Sequence, residues 1–139
     1  MTFRGLDDRP EWANAQRFAP ETLIFTHSIG CTVSHLANHQ ELYAALVTRG
    51  YQYDLDALQV LAKRELPCRY IGMIGSQKRV RQVLQSAEKL GVPKSNLQTI
   101  YAPIGLSLGA LTPEEIAVSI GAELIMVRRQ GSGNLSSHH

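Results

Sequence analysis

The sequence predicts an α/β fold built on a mostly parallel sheet, and three observations predict it. Short apolar runs alternate with longer segments of helical period along the chain. The runs are continuously apolar, as strands covered on both faces are, and the middle of the chain fits a strand, a helix and a strand into about thirty residues, the length of one βαβ unit. The strand candidates are Leu23–Phe25, Tyr43–Thr48 and Tyr70–Ile74, with a short strand expected near Thr99–Tyr101.

Each helix carries its own signals. Asp54 is the expected cap of a first helix with Leu55, Leu58, Leu61 and Ala62 on one stripe, ended before Pro67. Ser76 caps a second, which turns Val80, Val83, Leu84 and Ala87 inward; Gly91 stands where a left-handed C-terminal residue belongs, and Pro93 prevents continuation. The last helix opens with Thr112-Pro-Glu-Glu115, a capping box with proline at the first helical position, and its expected buried stripe is Ile116, Ile120, Leu124 and Val127. Arg128 and Arg129 complement the dipole at its far end.

A chain of 139 residues with 44% hydrophobic content is sized for one domain, expected over residues 1–130, and can bury a core without disulfides or a structural metal. The glycine- and serine-containing tail, 131–139, reads as a flexible appendage. Fourteen basic against 12 acidic side chains leave a charge of +2, which excludes the concentrated basic excess of a nucleic-acid binder. No run reaches the roughly 20 apolar residues of a membrane span, and the first ten residues lack the apolar core of a secretion signal. The expectation is a cytoplasmic protein, away from membranes, with Cys31 and Cys68 reduced.

The most informative stretch is Tyr70-Ile-Gly-Met-Ile-Gly-Ser-Gln-Lys-Arg-Val80, where an apolar strand runs through Gly75-Ser76 straight into a helix N-terminus. Backbone N–H groups there point outward and the dipole favours an anion, while Lys78, Arg79 and Arg81 add positive charge. Basic groups at a helix start oppose the dipole, so an anionic ligand explains their placement; a solvated basic turn remains the alternative. Thr48-Arg-Gly-Tyr-Gln-Tyr-Asp54 is a second candidate, because the carboxyl ends of parallel strands are where such folds bind ligands. Asp7-Asp8-Arg9 is a third, although no G-x-G-x-x-G phosphate loop occurs anywhere in the chain. Cys31, His35 and His39 are spaced by four, but a structural zinc site needs a fourth ligand and His27 is the nearby choice, so no metal site is predicted. No G-x-S-x-G, H-E-x-x-H or catalytic cysteine frame is present, which points to a binding fold before an enzyme.

Tyr70-Ile-Gly-Met-Ile-Gly-Ser76 with its basic helix start, then Ala102-Pro-Ile-Gly-Leu106, Gly109-Ala110 and Thr112–Ile120, closely resembles the C-terminal Rossmann domain of the XdhC/CoxI family, accessory factors for xanthine dehydrogenase and related molybdenum hydroxylases. Asp7–Arg9, Phe18–Pro20, Thr48–Gly50 and Asp54 extend the resemblance over nearly residues 6–128. It implies a Rossmann-like three-layer fold and a chaperone that binds molybdenum cofactor or a related nucleotide, helps its sulfuration and delivers it to an apo-hydroxylase, without oxidising xanthine itself. The cofactor-binding positions it implies, together with those read from the residues, are Asp7, Asp8, Arg9, Thr48, Arg49, Gly72, Gly75, Ser76, Lys78, Arg79, Pro103 and Gly105, with Ile104 and Leu106 in the same loop.

The sequence departs from the family pattern in lacking an N-terminal domain and the first strand with its glycine-rich turn, and in carrying Tyr51 where many relatives have histidine. In a 3-2-1-4-5 sheet the first strand is central, so its loss leaves unpaired edges that a second copy or a partner would cover. The expectation is a homo-oligomer, a dimer with intersubunit strand or helix packing, and a molybdenum hydroxylase as client. The competing reading is a non-catalytic interaction subunit that has kept the fold and lost small-molecule binding. An NAD(P)-dependent oxidoreductase ranks third, because the pyrophosphate loop is missing.

Overall fold

The computed structural model describes residues 4–6 and 23–25 (backbone alone), 33–34, 36, 38, 41–48 and 50–130. The chain forms two compact units, Met1–Asn38 and His39–His139. In the first, β1 (Arg4–Leu6) pairs in parallel with β2 (Leu23–Phe25), Gly5 opposite Ile24. β1 therefore ends just before Asp7, which itself lies outside the described residues.

The second unit contains β3 (Tyr43–Leu46), α1 (Tyr51–Leu61), β4 (Tyr70–Met73), α2 (Gln77–Lys89), a short α3 (Lys94–Leu97) and α4 (Pro113–Gln130). β3 and β4 are parallel, with Tyr43 opposite Tyr70 and Leu46 opposite Met73, and Gly72 forms a parallel bridge to Tyr101. All described strand pairing is thus parallel, and the fold is α/β as the apolar runs predict. β3 stops at Leu46, short of the expected Thr48, because Ile74 N–H closes on the Leu46 carbonyl at 3.0 Å while Val47 turns outward and is 65% exposed. The strand expected at 99–101 is reduced to one bridge. Tyr101 donates to the Ile71 carbonyl and Met73 donates to that of Tyr101, but the next ladder donor would be Pro103, which has no N–H; Ile104 bonds the Met73 carbonyl instead, at 2.9 Å.

α1 begins earlier than the sequence suggests. Its N-cap is Gly50, with no side-chain capping bond, and Asp54 lies inside the first turn, fully buried. The carboxylate is withdrawn from capping because a guanidinium and a hydroxyl hold it, as described below. Leu55, Leu58 and Leu61 are buried as expected, joined by Ala57, and α1 packs against α2. Ser76 caps α2 as predicted, its hydroxyl accepting from the Arg79 N–H at 3.1 Å. Val80, Val83 and Ala87 are buried, Leu84 is half-buried, and Gly91 adopts φ +99° at the helix end.

The capping box of α4 forms in full, Glu115 N–H donating to Thr112 Oγ1 at 3.1 Å and Thr112 N–H to Glu115 Oε1 at 3.0 Å. Its buried face is a correction to the expected stripe: Ser119, Glu123, Met126 and Val127 are buried, whereas Ile116, Ile120 and Leu124 are half-buried. The helix is rotated so that Glu123 reaches the tyrosines of the sheet. Tyr70, Tyr101, Ile104, Met126 and Val127 form that core, with the two tyrosine rings stacked at 4.8 Å.

Gly72 sits within this packing, where a Cβ would collide with Tyr70 Oη and lie 2.6 Å from Ile104 Cδ1. Gly72→Ala is expected to destabilise the protein by about 1–3 kcal/mol through overpacking, measured by urea unfolding. Glu115 gives a pH prediction. The backbone N–H groups of Thr112 and Leu111 hold its pKa below the ordinary carboxylate value, so its capping contribution is complete above that ordinary value and is lost as the pH falls through the depressed one. Amide exchange at the start of α4 should accelerate in acid in the wild type, and Glu115→Ala should remove that acid step.

Candidate functional site

The candidate site is assembled at the carboxyl ends of β3 and β4, where side chains and backbone leave the parallel ladder together. From β4 the chain passes through Ile74, Gly75 and Ser76 into α2. Gly75 has φ +148°, and a Cβ there would touch only the aliphatic part of Arg79, at 3.4 Å, so the glycine serves the turn and leaves its outer side open. Ser76, Gln77 and Lys78 are exposed. The first N–H groups of a helix have no intrahelical acceptor, and Ser76 Oγ answers that of Arg79. The result is an exposed helix start that carries the dipole of 13 residues and has a lysine beside it.

Behind this turn lies a polar cluster that fixes it. Arg79 donates from Nε at 2.9 Å and from Nη2 at 2.6 Å to Asp54 Oδ2, and Nη2 also reaches Thr48 Oγ1 at 3.0 Å. The Thr48 hydroxyl donates to Asp54 Oδ1. Asp54 is fully buried and the Arg79 side chain 28% exposed. Such charge-assisted bonds tie the end of β3, the first turn of α1 and the first turn of α2 into one unit. Arg79, read from sequence as an anion ligand, is thereby the counter-ion of Asp54. Lys78 and Arg81, both exposed, are the cations left for a ligand near the turn.

The loop after Tyr101 leaves the same carboxyl end of β4 through the Ile104–Met73 bond. Gly105 has φ +96°, donates its N–H to Glu123 Oε1 at 2.9 Å, and would place a Cβ 2.5 Å from Ser119 Oγ. Tyr70 Oη donates to the same Glu123 oxygen at 2.6 Å. Burial, and then this bond to a carboxylate, push the Tyr70 hydroxyl pKa well above its ordinary value, so it acts as a permanent donor. Pro103 is exposed at the loop surface.

Of the predicted positions, the structure brings Thr48, Gly75, Ser76, Lys78, Arg79, Pro103 and Gly105 to the carboxyl ends of the strands. Gly72 is inside β4 and is required by packing against Tyr70 and Ile104. Asp7, Asp8, Arg9 and Arg49 lie outside the described residues, as do His27, Cys31, His35 and His39. Among the described residues no three His, Cys, Asp or Glu side chains are placed to hold a metal, and no helix is long and apolar enough to cross a membrane. Cys68 is a half-buried free thiol whose pKa burial raises. Sequence reasoning did not assign Glu123 or the Asp54–Arg79 pair; a single carboxylate within Ile120-Gly-Ala-Glu-Leu-Ile-Met-Val127 was the available signal for the first.

Residues 2–124 match the XdhC Rossmann domain. A protein of Bacillus subtilis described as a probable xanthine dehydrogenase component is 32% identical over 124 residues, which is 89% of this chain and 35% of that protein. The uncharacterized protein YqeB of Escherichia coli is 31% identical over 126 residues, 90% of this chain and 23% of that protein. A crystal structure of a xanthine dehydrogenase from Bacillus halodurans superposes with a TM-score of 0.67 and 31% identity, over 94% of this chain and 36% of that one. The chain belongs to the XdhC family through its Rossmann domain. It spans about a third or less of the length of these relatives.

Asp54→Asn removes the charge that balances Arg79 in the cluster. The expected cost is about 2–3 kcal/mol, below that of a fully buried pair because the arginine retains some solvent; chemical unfolding of the single variants and the double variant with Arg79→Met measures it.

Proposed function

We propose that this domain is an accessory protein of the cytoplasm that binds the molybdenum cofactor or a related nucleotide and supports maturation of a molybdenum hydroxylase such as xanthine dehydrogenase. The observation that carries the reading is the open Gly75–Ser76–Lys78 turn at the start of α2, at the carboxyl end of a parallel strand in a chain of this family. A phosphate-bearing pterin or a nucleotide presents an anion, and the donor set there fits one: outward backbone N–H groups, the Ser76 hydroxyl and the Lys78 ammonium. Those residues would hold the phosphate end, with the 102–106 loop beside it. The redox chemistry at molybdenum that such a cofactor supplies belongs to the client enzyme, and this reading gives no residue of the chain a catalytic role in xanthine oxidation.

Arg79 favours a second reading. Because Asp54 already neutralises it, the site has fewer free cations than its sequence suggests, as expected of an interaction subunit that keeps the fold without the ligand. Purification from cells that make molybdopterin, followed by oxidation and pterin fluorescence, separates the two. The proposal expects retained pterin in the wild type and roughly tenfold lower occupancy in Lys78→Glu, a loss on the order of one charge-assisted contact. A pterin-free protein that still co-purifies with a hydroxylase would establish the second reading.

A further inference from the structure

We infer that α4 is a self-association surface on which two copies of this chain pack antiparallel about a two-fold axis at Gly121–Ala122. The buried face of α4 carries Ser119, Glu123, Met126 and Val127. At 100° per residue, Glu114, Val118, Gly121, Ile125 and Arg129 fall on the opposite side. That side is apolar at its centre and bare, Val118 being 65% and Ile125 57% exposed, with Leu111 continuing the stripe at 87%. Two β-branched side chains one turn either side of a small-residue pair form a contact surface in search of a partner.

The order of residues says which partner. Counted outward from the Gly121–Ala122 midpoint, Val118 is matched by Ile125, Glu115 by Arg128 and Glu114 by Arg129. A helix that reads acidic, apolar, small, small, apolar, basic is complementary to its own reverse. In an antiparallel pair, Val118 of each copy meets Ile125 of the other, and Glu114 at one end faces Arg129 at the other, twice over by symmetry. Gly121 and Ala122 at the crossing let the backbones approach closely. Glu114, Arg128 and Arg129 are exposed, and none of them joins the ion pairs formed among the described residues. Glu115 is held in its capping box, which leaves Glu114 as the acidic partner. The face carries both signs, so a membrane surface, which would select for a basic stripe, is the poorer occupant. An 18-residue helix offers an interface at the small end of the specific range, so the dimer should form at micromolar concentration and exchange readily.

Sedimentation equilibrium of the whole chain between about 1 and 200 µM tests this, a range that brackets a small interface. The wild type should dimerise within it. Ile125→Glu should weaken association at least tenfold, roughly the effect of losing a central contact. Glu114→Arg and Arg129→Glu should each weaken it, and the double charge swap should restore it, because only an antiparallel self-pairing puts position 114 against position 129 of the other copy. All three positions are exposed, and circular dichroism checks that the helix is intact in each variant. A wild type that stays monomeric throughout, a dimer indifferent to Ile125→Glu, or a swap no better than its single variants would each overturn the inference.

Discussion

The Asp54–Arg79 ion pair is the interaction on which the candidate site depends. Buried carboxylates are costly unless paired and hydrogen-bonded, and Asp54 is satisfied by Arg79 and Thr48 together. The consequence is positional. Thr48 follows β3, Asp54 is in α1 and Arg79 in α2, so the pair fixes where α2 begins relative to the strand ends, and the open N–H groups at Gln77 and Lys78 inherit that position. The same pair removes Arg79 from ligand binding. What looks in sequence like a basic anion site is, in the fold, a neutralised anchor carrying a modest cationic surface.

A second buried carboxylate organises the other side of the unit. Glu123 accepts from Tyr70 on β4 and from the Gly105 N–H in the loop, joining α4 to the sheet and setting the path of residues 102–106. Its Oε2 is buried with no hydrogen-bond partner among the described residues, a cost that a purely structural helix face would avoid by using an apolar residue. Gly72 and Gly105 belong to this arrangement: each is small because a side chain is already in the space beside it.

Much of this was legible in the sequence, in proportion to how local the physics was. The Ser76 cap, the Thr112–Glu115 box, Gly91 and the stripes of α1 and α2 each depend on residues within a turn or two, and each is present. The errors came where a distant partner decided. Asp54 has the composition of a cap, but Arg79, 25 positions on, takes its carboxylate. The buried face of α4 follows Glu123 toward Tyr70, 53 positions away, rather than the most apolar stripe. The strand near Tyr101 is shortened by the missing N–H of Pro103, which the sequence did display and periodicity alone overlooked.

The central claim is that the start of α2, held by the Asp54–Arg79 pair, is an anion-binding turn. Titration of inorganic phosphate and then a nucleoside monophosphate into the isotopically labelled protein, followed by amide NMR, tests it most directly. The account predicts saturable shifts centred on Gly75 to Lys78, spreading to residues 102–106 with the nucleotide. Unmoved amides at that turn, with saturable shifts elsewhere or none at all, would contradict it.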